Sequence, residues 1–136
     1  MIKKGVIETA NTDWASPVVL VPKPDGSLRF FTDYRRLNAM TIRYAYPISR
    51  MEEFIDSLGD AVIFSTLDCN SGYFQIPMDY EDRNKTGFVS HCGLFRWLRM
   101  PFGLKKDPAN FQRSADLILV AFKWRFALVY LVYIMI

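Results

Sequence analysis

Sulfur and imidazole are scarce in this chain, whose 136 residues include two cysteines and one histidine. Cys69 and Cys92 have no paired spacing, and the opening MIKKGVIETANTDW has no signal-peptide pattern. A disulfide framework is therefore not expected, and a reduced, intracellular setting (cytoplasm or nucleus, not secreted) is. Both thiols should act as small hydrophobes. His91 beside Cys92 has no third or fourth ligand in view, which argues against a zinc site. Internal repeats and low-complexity segments are also missing. The last eleven residues, FALVYLVYIMI, lack any charge or amide. A membrane-spanning helix needs about 20 largely apolar residues, and extending this run backwards meets Arg125 and Lys123 at once. No membrane association is expected. The run is dense in Val, Ile, Tyr and Phe, which favours a buried strand.

The composition is 51% hydrophobic and 15% aromatic, enough to build a core. The length suits one domain or part of a larger one. Net charge is +3, unevenly spread. Residues 1–50 carry eight Lys/Arg against four acids, whereas residues 51–136 carry nine against ten. A basic N-terminal part suits contact with a polyanion, although solvated surface charge explains the same bias.

VVLVP (18–22) and LRFF (28–31) flank KPDGS, a turn sequence, and predict a β-hairpin. DYRRLNAMTIRYAYP (33–47) has no sustained period and reads as loop with a short turn. From Ser49, the residues Met51, Phe54, Ile55 and Leu58 recur at helical spacing up to Gly59. VIFSTLD (62–68) reads as a buried strand ending in an acid, DYED (79–82) as a solvent-facing turn, and KTGFVS (85–90) and LFRWLRM (94–100) as paired strands. Asp107-Pro108 predicts a helix N-terminus with Asp107 as its cap. Phe111, Ala115, Ile118 and Phe122 would form the buried stripe of that helix, to about Trp124. The order hairpin, helix, strand, hairpin, helix, strand predicts an α+β domain, with the last strand beside 62–68.

Asp68, at a strand end before CNSGYFQIP, could hold a divalent ion. One carboxylate is a weak signal, since a turn cap looks the same. Longer segments decide more. TDWASPVVLVPKPDGSLRFFTDYRRLN, YPISRMEEFIDSLGDAVIFSTLDCNSGYFQIP and RMPFGLKKDPANFQR together resemble the reverse transcriptase of gypsy-class LTR retrotransposons, from about Gly5 to Ile136. The resemblance implies the fingers and partial palm of a right-hand polymerase, truncated before the thumb. Residues about 1–60 and 77–103 would be fingers-like, and about 61–76 and 104–136 palm-like. It implies an RNA-directed DNA polymerase (a nucleotidyltransferase) by descent, with RNA/DNA primer–template and dNTP as partners and Mg2+ as cofactor.

Residue by residue, Asp68 resembles the first metal-binding aspartate. Tyr73 resembles the aromatic beneath the incoming sugar. Lys23 and Arg29 resemble the triphosphate clamp, a role suited to a point charge and a guanidinium fork. Phe102 and Gly103 resemble the nucleotide-pocket floor, and Arg35, Asn38, Lys105 and Gln112 the template-facing set. Two departures stand out. The family usually has Asn-Ala where this chain has Lys106-Asp107. More consequentially, the family's Tyr-Leu-Asp-Asp is Tyr130-Leu131-Val132-Tyr133 here. Either replacement needs a single base change per codon. Asp68 would then be the remaining member of an incomplete metal site, and polymerase activity is not expected. The alternatives are a non-catalytic nucleic-acid-binding fragment or an element remnant. Loss of two gatekeeping acids also predicts self-association through residues 126–136, on the expectation that the tail lacks a returning strand.

Overall fold

The computed structural model describes residues 1–47, 51–59, 61–123 and 127–136. They form two compact units, one of residues 1–42 with 73–107 and one of residues 43–72 with 108–136.

The first unit holds β1 (Ile7–Thr9), β2 (Ser16–Pro22) and β3 (Leu28–Thr32), then α1 (Arg35–Met40). β2 and β3 form the expected hairpin, with Val21 opposite Arg29 and Pro22 opposite Leu28. The turn closes because Lys23 N–H donates to Ser27 O at 2.7 Å and Asp25 Oδ1 accepts from Ser27 N–H and Oγ–H. The 33–47 stretch is not all loop: RRLNAM forms α1. Its helical state is secured from far away in sequence, through Asn38 bonds to Gly103 and Lys105, so no local period announced it.

The second unit contributes α2 (Met51–Leu58) and β4 (Thr66–Asp68). Acidic Glu52 and Glu53 in the first turn of α2 suit the helix dipole. Ser49, its expected start, lies outside the described residues. The 62–68 run was expected to be a buried strand, yet only its last three residues are strand, and all three are exposed. β4 is an end strand of its sheet, with β8 (below) as its neighbour, which leaves it little to pack against.

The chain continues through α3 (Gly72–Gln75) and α4 (Tyr80–Arg83). DYED is thus a short helix rather than a turn, capped by Asp79, which accepts from Glu81 N–H. In the first unit β5 (Phe88–Ser90) and β6 (Gly93–Trp97) complete a five-stranded sheet of order β1-β6-β5-β2-β3. The 85–90 strand starts late because Asn84–Thr86 forms a 3-10 turn. The core on this sheet is aromatic: Ile7, Tyr34, Phe88, Phe95 and Trp97, joined by Phe30 and Phe74. Phe74 stacks on Trp97 at 5.4 Å between centroids.

α5 (Asp107–Ile118) precedes β7 (Leu128–Tyr130) and β8 (Tyr133–Met135). Trp124, the expected helix end, lies outside the described residues. Phe111 is buried as expected, but Ile118 and Phe122 are exposed; Ala109 and Gln112 are buried instead. The tail is a two-strand hairpin rather than one strand. It turns at Leu131, which adopts φ +53° without being glycine. Apolar residues at the turn hid it from the sequence. The returning strand is therefore present, and β8 is paired on both sides in the order β4-β8-β7, beside the 62–68 run as expected.

Candidate active site

In the second unit, the register of β4 and β8 sets Asp68 directly opposite Tyr133. The next residue, Cys69, donates its N–H to Val132 O at 2.9 Å. The two positions where the resemblance calls for acids thus lie beside Asp68. A tight turn shapes the chain just past that strand end: Ser71 takes φ +51°, and Gly72 N–H returns to Cys69 O. A Cβ on Gly72 would meet the Phe111 ring and Cys69 Cβ at 3.0 and 3.2 Å, so a side chain there would push against the ring that α5 packs on this turn.

The hairpin that carries Val132 and Tyr133 is held by Gln112. This side chain, 1% exposed, donates to Val129 O at 3.0 Å and accepts from Leu131 N–H at 2.9 Å. It also donates to Asp116 Oδ1 at 3.0 Å. Asp116 in turn accepts from Tyr46 Oη–H and pairs with Lys123 Nζ at 2.8 Å. Its bond to Asp116 raises the Tyr46 phenol above its ordinary pKa. Gln112 was expected to face the template; its buried amide is instead wholly engaged inside the unit. Asp116 was missed, although the Gln-x-x-x-Asp spacing on a helix would have paired it with Gln112.

Magnesium bound for phosphoryl transfer needs carboxylates at more than one position to span two ions. Asp68 lies opposite a phenol, Val132 lies across from Cys69, and no cluster of three His, Cys, Asp or Glu side chains is found among the described residues. The donor set does not fit a two-ion site.

In the first unit, strand alternation sets Lys23 and Arg29 on one face of the β2–β3 hairpin, since 23 lies across from 27 and 29 from 21. Phe30 and Val18 take the other face, against the aromatic core. The two cations therefore share a face, with Arg29 exposed and Lys23 half-buried. Asp25 lies in the same turn; its Ser27 hydrogen bonds, helped by Arg29, hold its carboxyl below the usual range. Arg35 is 90% exposed but forms a fork with Asp33, the closest approach being 2.6 Å.

Asn38 clasps a second loop. Its Nδ2–H donates to Gly103 O at 2.7 Å, while its Oδ1 accepts from Lys105 N–H at 2.8 Å. Lys105 Nζ caps the end of α1, donating to Thr41 O at 3.0 Å. Gly103 adopts φ +100° with only ordinary contacts around a notional Cβ, so conformation rather than space demands glycine there. Phe102 lies 4.9 Å from Tyr73 and 5.5 Å from Phe74 between ring centroids. The structure thus joins Tyr73, Phe102, Gly103, Asn38 and Lys105 around one turn. Burial first, and then the nearby Asp107 carboxyl, raise the Tyr73 phenol.

Asp107 was expected to cap α5. It is the first residue of the helix, and its Oδ2 instead accepts from Leu104 N–H, at 2.8 Å and three residues back.

Comparison with known proteins agrees with this architecture. The family described as "Reverse transcriptase (RNA-dependent DNA polymerase)" matches residues 21–134. The Retrovirus-related Pol polyprotein from transposon 297 of Drosophila melanogaster is 43% identical over 136 residues, spanning 96% of this chain and 13% of that protein. The corresponding polyprotein from transposon gypsy of the same organism is 35% identical, over 88% of this chain and 12% of that protein. The chain therefore spans about an eighth of the length of these relatives. Among solved structures, native prototype foamy virus protease-reverse transcriptase superimposes with a TM-score of 0.82 at 28% identity, over 99% of this chain and 18% of that one. The foamy viral enzyme in complex with RNA/DNA hybrid gives 0.84 at 25% identity, over 98% and 18%. With an α+β fold matching the fingers and first part of the palm, this chain belongs to the reverse transcriptase family, as a domain of the kind carried by gypsy-class retrotransposon Pol polyproteins.

Proposed function

We propose that this domain binds nucleic acid through its basic hairpin face and does not polymerise. The observation that carries this reading is the β4–β8 register, which sets Tyr133 opposite Asp68 and Val132 beside it. Two-ion phosphoryl transfer depends on carboxylates acting as one unit, and loss of such a unit costs many orders of magnitude in rate. Binding has separate support. Lys23 and Arg29 share one face of the hairpin, and solved relatives are complexes with double-stranded DNA and with RNA/DNA hybrid. The primer–template is the expected partner, with the clamp residues suited to a dNTP triphosphate.

The test is primer extension on RNA and DNA templates with magnesium or manganese, alongside fluorescence anisotropy of a labelled primer–template. Expected are no extension and salt-sensitive binding. Extension by the unmodified chain that Asp68→Ala abolishes overturns the reading, as does the absence of binding at low salt.

A second reading, self-association, draws on exposed aliphatic residues of the second unit. Val62, Ile63, Leu117, Ile118 and Val120 are all solvent-facing. An apolar cavity of about 300 Å³ lies between Leu67, Leu119, Phe122, Ala127, Ile134 and Ile136. Exposed apolar area of this kind favours association.

A further inference from the structure

Asp107 is the first residue of α5. Its side chain is 2% exposed. The bond from Leu104 N–H, at 2.8 Å, ties Asp107 back onto the loop of Phe102 and Gly103, all within the first unit. Asn38 holds the same loop from α1 through Gly103 O and Lys105 N–H. Two side chains from different elements therefore fasten one short turn, and one of them is ionisable.

We propose that Asp107 is a protonation-dependent clasp on the 102–105 turn, closed when the carboxyl is neutral and loosened when it is charged. The surroundings explain why. A buried carboxylate needs either a cation or several hydrogen-bond donors to offset its desolvation. The titratable groups that sense Asp107 are the phenols of Tyr34, just before α1, and Tyr73, in α3. Both are neutral acids at ordinary pH, and Leu104 N–H is a single donor. Burial accordingly pushes the Asp107 carboxyl up to about 8, against the partial opposition of that bond. Charging it raises both phenols in turn, so the three groups resist ionising together.

The sign comes from linkage. In the unfolded chain the carboxyl ionises near its ordinary value of 3.8, whereas in the fold it holds its proton to about 8. The fold binds the extra proton between these values, so its stability is full below about 4 and declines as pH rises. The decline ends above about 8, where both states are charged. Each pH unit inside that window multiplies the unfolding equilibrium constant by up to about tenfold from this group alone.

The experiment is urea unfolding of the full chain from pH 5 to pH 9 for the native sequence, Asp107→Asn and Asp107→Ala. Amide hydrogen exchange of residues 104–106 is followed relative to β6. Asparagine keeps an oxygen for Leu104 N–H without titrating; alanine removes both. The native chain is expected to lose stability across this range, with both variants losing at least tenfold less in unfolding constant. Protection of residues 104–106 should fall with pH relative to β6 in the native chain and stay level in Asp107→Asn. Parallel pH profiles for the native chain and Asp107→Asn overturn the proposal. So does a carbon-13 carboxyl titration of Asp107, in the native chain, with its midpoint below pH 5.

Discussion

Phe88 and Trp97 in the first unit are 1% and 2% exposed, whereas Val62 and Ile63 in the second are 90% and 84% exposed. The first unit closes its core with rings that touch one another and with a buried Tyr34 Oη–H donating to Thr86 O at 2.8 Å. The second concentrates its burial around one hairpin, at Phe111, Gln112, Ala127, Leu128 and Val129, and leaves its outer strand in water. The residues resembling nucleotide-handling groups lie mostly in the first unit. Val132 and Tyr133 lie in the second, at the turn end of that hairpin, where Tyr133 is half-exposed. The hairpin forms with Val132 and Tyr133 at its turn.

Replacing acids separates the units most sharply. Val132→Asp with Tyr133→Asp alters the second unit alone, so primer–template binding by the first should persist. Any extension gained should disappear with Asp68→Ala, a difference of orders of magnitude in rate measured by single-turnover assay. Extension that survives Asp68→Ala would place chemistry elsewhere and dissolve the contrast.

Core truncation comes next. Trp97→Ala should destabilise the first unit by about 3–5 kcal/mol, read by urea unfolding. Gln112→Ala should act on the second through the hairpin groups left buried and unsatisfied, at about 1–3 kcal/mol each. Hydrogen exchange should report faster exchange at residues 128–135 in Gln112→Ala while β5 and β6 stay protected. Equal loss in both sheets would mean that the units unfold as one.

Much of the first unit was legible because its signals are local: Pro-Asp-Gly at 24–26 names its own turn. What failed to read was tertiary. RRLNAM has no period of its own, and its helix depends on a partner 65 residues away. Leu131-Val132 carries no turn residue, so two strands looked like one. Asp107 looked like a cap because Asp-Pro opens helices, while its carboxyl actually reaches backwards to Leu104. At the candidate site, a motif linked Asp68 with Val132 and Tyr133 across 64 residues, and the β4–β8 register sets them side by side. Gln112 was given the wrong surroundings because burial of an amide cannot be read from its spacing.

Self-association tests the exposed face of the second unit. Leu117→Asp with Ile118→Asp should shift sedimentation towards monomer more than Val132→Asp with Tyr133→Asp does, because β8 is already paired on both sides. The reverse ranking would return the effect to the tail. The smallest expected effect is electrostatic. Arg29→Ala should flatten the salt dependence of primer–template binding by about one unit of slope per lost phosphate contact. Arg35→Ala should change it less, since Asp33 already neutralises that guanidinium.

The hairpin turn at Leu131 bears on how such a domain decays. A leucine at φ +53° is held in an unfavourable conformation, at a cost of about 1–2 kcal/mol. What offsets it is the Gln112 amide, on α5 rather than on the hairpin that carries Val132 and Tyr133. Selection for folding and selection for catalysis therefore act on codons of different elements, α5 and the hairpin. Random substitution can erase the second at positions 132 and 133 while the first goes on purging changes at 112. A gene copy drifting in this way loses its activity long before its shape.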